Sequence, residues 1–203
     1  LGEPASQHAE RRTVPCASGC AFVTRRAVWA ELGGFAPEYF AYHEDTDLSI
    51  RTWQRGRTVD YVPDAVVRHH YEFSRTATKF YLIERNRLVV VLTTYQLRSL
   101  LVLAPMLVLT ELAMVASAVA GRWWSQKVAG WRWLWRHRRW VRARRREVQE
   151  ARRLPDADIV ALMTPRFEPG NLATPPGIGL YNAVSAGYWA IARRLIGRPT
   201  RAR

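Results

Sequence analysis

The chain has 203 residues, of which 48% are apolar and 24% charged, and its formal net charge is +14. This composition is typical of a folded protein and excludes an intrinsically disordered chain. Two cysteines, Cys16 and Cys20, are too few for a disulfide framework, and a lone C-x-x-x-C pair does not make a four-ligand zinc site. The chain begins with Leu and shows no basic-then-apolar leader, so we expect it to be a piece of a longer protein.

The positive charge is concentrated in one segment. Residues 1–97 hold 12 basic and 11 acidic side chains, whereas residues 121–153 hold 12 basic and 2 acidic ones. We therefore expect residues 1–97 to form a near-neutral globular unit and residues 121–153 to meet an anionic partner.

Apolar runs and helix stop signals predict an alternation of strands and helices in the first unit. Strands are expected at 20–24, 58–62 and 65–70, helices at 25–32 and 43–56, and an aromatic loop at 35–42. The first helix should end at Gly33-Gly34 and the second at Gly56, because glycine commonly ends a helix in the left-handed conformation.

One cluster of ionisable residues stands out in this unit. His43, Glu44, Asp45 and Asp47 lie within five residues of one another. Three carboxylates so close repel each other, which raises some of their pKa values and suits general-base chemistry. The same pattern also suits the acidic first turn of a helix, where carboxylates favour the positive end of the helix dipole. Spacing alone does not choose between the two interpretations.

A second cluster is the pair His69-His70, which ends the last predicted strand and precedes Glu72 and Ser74. Neighbouring strand residues point to opposite faces, so only one of the two imidazoles can face a given site. A lone pair of histidines is more often structural than metal-binding, and by itself it identifies no site.

The order of these features resembles a known family. The matching features are Ser18-Gly19 before a strand, an arginine-led helix, Gly33-Gly34-Phe35, an aromatic loop leading into Glu44-Asp45-x-Asp47-Leu48, a strand ending Val62-Pro63, and His69 five residues before Ser74. In this order they resemble the acceptor-binding half of family 2 inverting glycosyltransferases, in the rhamnosyltransferase-like, membrane-associated branch. The sequence ERNRL at 84–88, followed by a long helix and an apolar segment, extends the resemblance to about residues 14–120.

The resemblance implies a fold and its boundaries. Residues 1–97 would be the C-terminal, acceptor-side half of a Rossmann-like glycosyltransferase of the A type, an α/β fold, followed by membrane-associated helices. In that family a nucleotide-diphospho-sugar donor binds an N-terminal half through an Asp-x-Asp motif and a divalent cation, Mg²⁺ or Mn²⁺. Asp45-x-Asp47 belongs to the later acceptor-side motif, so we expect the donor-binding half to be missing from this chain.

The resemblance also implies roles for single residues. Asp45 matches the catalytic base that takes the proton of the acceptor hydroxyl, and Glu44 would orient the loop or the acceptor beside it. Among the acceptor-binding residues, Gly33, Gly34 and Phe35 would form a wall, while Asp47 would contact the acceptor or cap the helix.

A metal-side residue is implied as well. His69, or alternatively His70, would complete the shell of the divalent cation next to the diphosphate. Arg75 and Lys79 could approach phosphates, but a solvated basic surface explains them better.

The segment 98–120 is predicted to be a transmembrane helix. Its 21-residue apolar run 100–120 would be about 32 Å long as a helix, which matches the thickness of about 30 Å of a membrane core. Glu111 interrupts the run, and a carboxylate at that depth needs a protein or water partner. The alternative is a buried helix of a soluble domain.

The next segments are predicted to lie on the membrane surface. Residues 121–153 interleave arginines with six tryptophans, which suits a membrane-surface helix next to anionic lipid; nucleic-acid binding is the rival interpretation. Residues 154–203 should form a Pro- and Gly-rich loop at 167–179 and an interfacial helix at 180–196.

These observations together predict an enzyme, incomplete as this chain. It would transfer a sugar with inversion from the nucleotide-diphospho-sugar to a hydroxyl of a glycan or lipid-diphosphate-linked acceptor, at the cytoplasmic face of the cell membrane and without a nucleic-acid partner. Two alternatives stay open. One is a non-catalytic, membrane-anchored module without the donor half, and the other is a basic nucleic-acid-binding protein, whose binding would be strongly salt-dependent.

Overall fold

A computed structural model describes residues 9–70, 76–166 and 177–200, and these residues are mostly helical. The elements in chain order are β1 (Arg12–Thr13), α1 (Arg26–Leu32), a 3₁₀ helix (Pro37–Tyr39), α2 (Glu44–Gln54), β2 (Asp60–Tyr61), α3 (Ala77–Thr94), α4 (Leu97–Ala120), α5 (Trp124–Arg136), α6 (Arg138–Glu150), α7 (Asp156–Val160) and α8 (Ile178–Ile196).

The sheet is much smaller than the sequence predicts. β1 and β2 pair antiparallel, with Arg12 opposite Tyr61 and Thr13 opposite Asp60. The strand expected at 58–62 is thus confirmed at two residues, while the strands expected at 20–24 and 65–70 are wrong. A strand needs the backbone of a neighbour to form its ladder, and within the described ranges only these two short segments pair. The α/β, Rossmann-like expectation is therefore not confirmed by the described residues.

Both helices predicted in the first unit are confirmed. α1 ends at Gly33, which has a φ of 75° and donates its N–H to the carbonyls of Ala30 and Trp29. α2 starts with three carboxylates in its first turn and buries Leu48, Ile50 and Trp53. Short-range signals, a glycine C-cap and an acidic N-terminus, were sufficient to predict these elements.

α3 lies at the centre of the molecule and packs against α2, α5 and α6. The buried core combines residues from several elements, namely Tyr39, Ile50, Trp53, Val89, Val90 and Ile159. A smaller cluster joins Ala157, Val160 and Ile196 to the side chains of α4. The segment before α2 packs into the larger of these clusters through Ala36 and Tyr39.

The basic, Trp-rich segment forms two helices, α5 and α6, where the sequence predicts one. Trp123 stacks on Phe80 with ring centres 5.0 Å apart, and Trp133 and Trp140 pack against the core. In contrast, Trp135 is 70% exposed. The segment thus supplies both core packing and an exposed basic surface, and the membrane-surface role of that surface stays a prediction.

α4 is a helix long and apolar enough to cross a membrane, and few of its residues are buried. Exposure of this degree disfavours the alternative of a core helix in a soluble domain. Glu111 has the partners that a carboxylate in an apolar helix needs: Lys127 Nζ lies 2.8 Å from it, Trp131 Nε1 donates to it at 2.8 Å, and Arg87 also binds it.

α8 confirms the helix predicted at 180–196 and packs along α4. Thr110 Oγ1 of α4 and Tyr181 Oη of α8 are 3.1 Å apart, and Tyr188 Oη donates to the carbonyl of Val102. Because the higher-numbered residue of α4 meets the lower-numbered one of α8, the two helices run antiparallel. Residues 167–176 of the predicted loop lie outside the described residues, as do Glu72, Ser74 and Arg75.

Candidate active site

The segment that leads into α2 is strained. Phe40, Tyr42 and His43 have φ values of 61°, 68° and 65°, in the left-handed region that non-glycine residues rarely adopt. Each such residue costs about 1–3 kcal/mol and persists only where its surroundings hold it. We call residues 36–43 the entry loop, because it fixes where α2 begins.

Two neighbouring side chains of α3 hold the entry loop. Asn86 Nδ2 lies 3.0 Å from the carbonyl oxygen of Tyr39, 2.8 Å from that of Ala41 and 2.7 Å from that of Tyr42. Arg85 Nη2 donates to the carbonyls of Glu38 at 2.7 Å and Tyr39 at 2.9 Å. Both side chains are buried, so these bonds are shielded from competing water.

Asp45 follows the entry loop in the first turn of α2, with its side chain half-buried. The backbone N–H of Gly19 donates to its Oδ2 at 2.8 Å, and the N–H of Thr46 donates to its Oδ1 at 2.7 Å. The carboxylate is therefore fixed in orientation without being sealed from solvent. A carboxylate in this setting can accept a proton from a hydroxyl that comes within hydrogen-bonding distance.

The Ser18-Gly19 motif packs against α2 and does not lead into a strand. The N–H of Ala17 donates to Ser49 Oγ at 3.0 Å, which places the following residues beside the first turn of the helix. A Cβ atom on Gly19 would lie 3.2 Å from Asp45 Oδ2 and 3.4 Å from Asp45 Cβ. Glycine at this position thus lets the backbone approach the carboxylate closely.

The groups around Asp45 titrate abnormally, mainly because they are buried. Burial raises the pKa of Glu44, its own backbone N–H lowers it, and the charge of Asp45 raises it to a smaller extent. Burial lowers the pKa of His43. Burial, aided by the charge of Asp45, raises the pKa of the Cys16 thiol to about 11. For Glu44, burial thus outweighs the carboxylate repulsion that the sequence suggests as the cause.

Glu44 also carries an unpartnered atom. Its Oε2 is buried and has no hydrogen-bond partner among the described residues. A buried acceptor without a partner costs about 1–3 kcal/mol. The side chain is therefore held at a cost in stability, next to the carboxylate of Asp45.

Asp47 is not placed to contact an acceptor, which corrects the prediction. Its side chain is 0% exposed. Its Oδ2 accepts from Arg51 Nε at 2.8 Å and from Arg144 Nη2 at 3.1 Å, and its Oδ1 accepts from Tyr39 Oη at 3.2 Å. Residues two positions apart in a helix lie on opposite sides of it. Asp47 therefore faces the core, whereas Asp45 does not.

The predicted acceptor wall has a structural function in part. Gly34 is buried, and its carbonyl accepts from Arg51 Nη2 at 2.7 Å. Phe35 packs edge-on against Trp29 with ring centres 5.1 Å apart. Gly33 is exposed at the end of α1. Contact of Gly33 or Phe35 with an acceptor stays a prediction.

The described residues do not form a metal site. His69 and His70 are exposed and lie in a segment without regular structure. Across the described ranges, no three His, Cys, Asp or Glu side chains are grouped so that they could hold a metal ion. A single imidazole does not by itself complete the shell of Mg²⁺ or Mn²⁺, in which oxygen ligands dominate, so a cation at His69 would need further oxygen ligands. The divalent cation therefore stays a prediction.

The sequence interpretation missed the residues that hold the site. Arg85 and Asn86 were part of the ERNRL motif but had no role, and Arg144 was assigned to the membrane surface. A signal was present in the sequence: four consecutive polar residues, 84–87, interrupt a helix that is apolar on both sides of them. Buried polar groups in such a position require specific partners.

Comparison with known proteins supports the resemblance. Residues 3–90 match the family described as glycosyltransferase-like family 2. Over 59 residues the chain is 42% identical to N-acetylglucosaminyl-diphospho-decaprenol L-rhamnosyltransferase from two strains of Mycobacterium tuberculosis. These 59 residues are 29% of this chain and 19% of each relative. No solved structure matches the chain.

Residues 3–90 are therefore similar to family 2 glycosyltransferases, and a 59-residue stretch of the chain is similar to a rhamnosyltransferase. The chain spans about a fifth of the length of the curated relatives that it matches.

Proposed function

We propose that this chain carries the acceptor side and the membrane-attached part of an inverting sugar transferase. The observation on which the proposal rests most is the Asp45 carboxylate, which is half-buried, held by two backbone N–H groups and placed at the end of a strained loop. It lies within residues 3–90, the segment that matches the family.

In the proposed reaction, a hydroxyl oxygen of the acceptor attacks the anomeric carbon of a nucleotide-diphospho-sugar. Its proton passes to the Asp45 carboxylate, and the bond from the anomeric carbon to the diphosphate breaks, with the electron pair leaving on the diphosphate. Attack from the side opposite the leaving group inverts the configuration. Glu44, next to Asp45, orients the acceptor or the loop.

The proposed acceptor is a glycan on a lipid diphosphate. This is supported by the name of the matched relatives, which refers to a diphospho-decaprenol substrate, and by the exposed apolar helix α4. The proposed location is the cytoplasmic face of the cell membrane, with anionic lipid bound by the exposed arginines of α5 and α6. A divalent cation near His69 belongs to the proposal, and no step of the reaction above depends on it.

The test is sugar transfer by the protein expressed from its complete coding sequence. With a nucleotide-diphospho-sugar donor and a lipid-diphosphate-linked acceptor, Asp45→Asn should lower the initial rate by about 10²–10⁴, the range expected for loss of a general base. Asp64→Asn is the matched control, because Asp64 is an exposed carboxylate in a turn. Full activity of Asp45→Asn would remove the catalytic assignment.

A further inference from the structure

α4 has one face that contacts protein along the whole helix. Ser99 near its start is 1% exposed and Ala118 near its end is 0% exposed. Between them, Val102 accepts from Tyr188 of α8, and Glu111 binds Lys127 of α5. The helix thus lies on its side against the rest of the molecule and does not project from it.

The opposite face of α4 is an exposed apolar stripe. Leu97, Leu101, Val108, Leu112 and Val119 are each 59–67% exposed. Their spacings of four and seven residues return to the same side of a helix with 3.6 residues per turn. Although α4 is apolar on all sides, it therefore has two different faces, one packed against protein and one exposed.

α8 shows the same division. Tyr188, Trp189 and Ala192 face the protein, while Leu180, Val184, Ile191 and Leu195 are 48–73% exposed. The exposed residues again recur at four and seven positions. Two antiparallel neighbours, α4 and α8, thus each leave an apolar stripe uncovered.

This packing disfavours a helix that crosses the membrane. If α4 crossed, the elements that lie along it would share its depth in the bilayer. Trp131 of α5 contacts Glu111 in the middle of α4, and the next residue, Arg132, is exposed. An exposed arginine at the centre of a bilayer is strongly unfavourable, because a charged side chain there loses its contact with water.

We propose that α4 and α8 form a platform that lies in the plane of one membrane leaflet, with their exposed stripes in the lipid and the rest of the described chain above it. Such helices insert their apolar face about 5–10 Å into the boundary between headgroups and acyl chains. Exposed arginines lie near the helix ends: Arg98 at the start of α4, Arg122 two residues after its end, and Arg193 and Arg194 in the last turn of α8. This charge selects an anionic leaflet as the partner.

The platform deepens the membrane part of the proposed function and does not depend on the role of Asp45. It predicts that both ends of α4 are on the same side of the membrane. The test uses Arg98→Cys and Ser125→Cys, each in a Cys16→Ser/Cys20→Ser background of the protein expressed from its complete coding sequence. Membrane vesicles of either orientation are treated with a maleimide that cannot cross the bilayer.

In-plane α4 requires that both cysteines label in inverted vesicles and that neither labels in right-side-out vesicles. Labelling of the two cysteines from opposite sides would show a spanning helix and overturn the platform, while the sugar transfer proposal would be unaffected. Protein found only in the soluble fraction would overturn the platform and the proposed location, and transfer by Asp45→Asn would still be tested separately.

A second experiment tests the stripe itself. In flotation with vesicles of phosphatidylcholine and phosphatidylglycerol, L101K/L112K should lower the partition coefficient by about tenfold or more. The matched control is V66K/V67K, because Val66 and Val67 are exposed apolar residues away from α4 and α8. Equal loss in both variants would overturn the platform. A wild-type protein that does not bind vesicles and forms a dimer would also overturn the platform, because a second copy would then cover the stripe.

Discussion

Residues 9–70 and the helical residues 76–166 are built in different ways. The first region has two short strands, two short helices and a strained loop, whereas the second is made of four helices of 13 to 24 residues and the short helix α7. Asp45 belongs to the first region, yet Asn86 and Arg85 of the second hold the loop that places it. The contrast shows that the candidate base lies in the first turn of α2, directly after irregular chain that is held by a helix distant in sequence.

The strongest link between the two regions is the buried ion pair of Asp47 and Arg144. Asp47→Ala would leave the Arg51 and Arg144 guanidinium groups buried without their shared carboxylate. Breaking a buried ion pair from one side costs about 3–5 kcal/mol. Denaturant unfolding should report a loss of that size, whereas Asp64→Ala should change the free energy of unfolding by about 0.5 kcal/mol or less. Equal free energies of unfolding for the two variants would mean that the ion pair between the regions does not stabilise the fold.

The second-largest expected effect concerns the hydrogen bonds from Asn86 to the entry loop. Asn86→Ala removes the side chain that binds three loop carbonyls and should lower the free energy of unfolding by about 1–3 kcal/mol. Because the loop places Asp45, kcat should fall while KM for the donor changes little. The control is Gln126→Ala, which removes a half-buried amide whose side chain accepts from Ser125 Oγ at 2.9 Å. A stability loss without any change in kcat would restrict Asn86 to a structural role.

The smallest expected effect is a gain in the free energy of unfolding. The folded state raises the pKa of Glu44, so folding favours its protonated form, and its contribution to stability falls as pH rises from about 4.5 through the higher folded pKa. Glu44→Gln removes the charge and should therefore stabilise the protein at about pH 7, with the gain vanishing below about pH 4. Thermal melting at several pH values measures this difference. A gain that is the same at all pH values would exclude ionisation as its cause.

How much could be predicted from the sequence depended on the range of the signals. Local signals were sufficient for two helices: Gly33 predicted the end of α1, and the acidic first turn before Leu48 predicted the start of α2. The strands expected at 20–24 and 65–70 were wrong because pairing depends on distant backbone that a local apolar run does not specify.

The site divides in the same way. The role of Asp45 rests on its motif and stays a prediction, whereas the acceptor contact expected of Asp47 is wrong because its partner Arg144, 97 positions away, could not be foreseen. The roles of Arg85 and Asn86 required knowledge of which loop they meet. Burial of Lys127 between Glu84 and Glu111 likewise could not be read from a segment rich in arginine and tryptophan.

The central claim is that Asp45 takes the proton of the acceptor hydroxyl in the step in which the sugar is transferred. The most direct measurement is single-turnover transfer by the Asp45→Asn variant of the complete protein at saturating donor and acceptor, with acceptor affinity measured in parallel. If Asp45 is the base, acceptor affinity should be near normal and the transfer rate should be lower by about 10²–10⁴. A transfer rate within about twofold of the wild type, below the smallest loss expected for a general base, would contradict it.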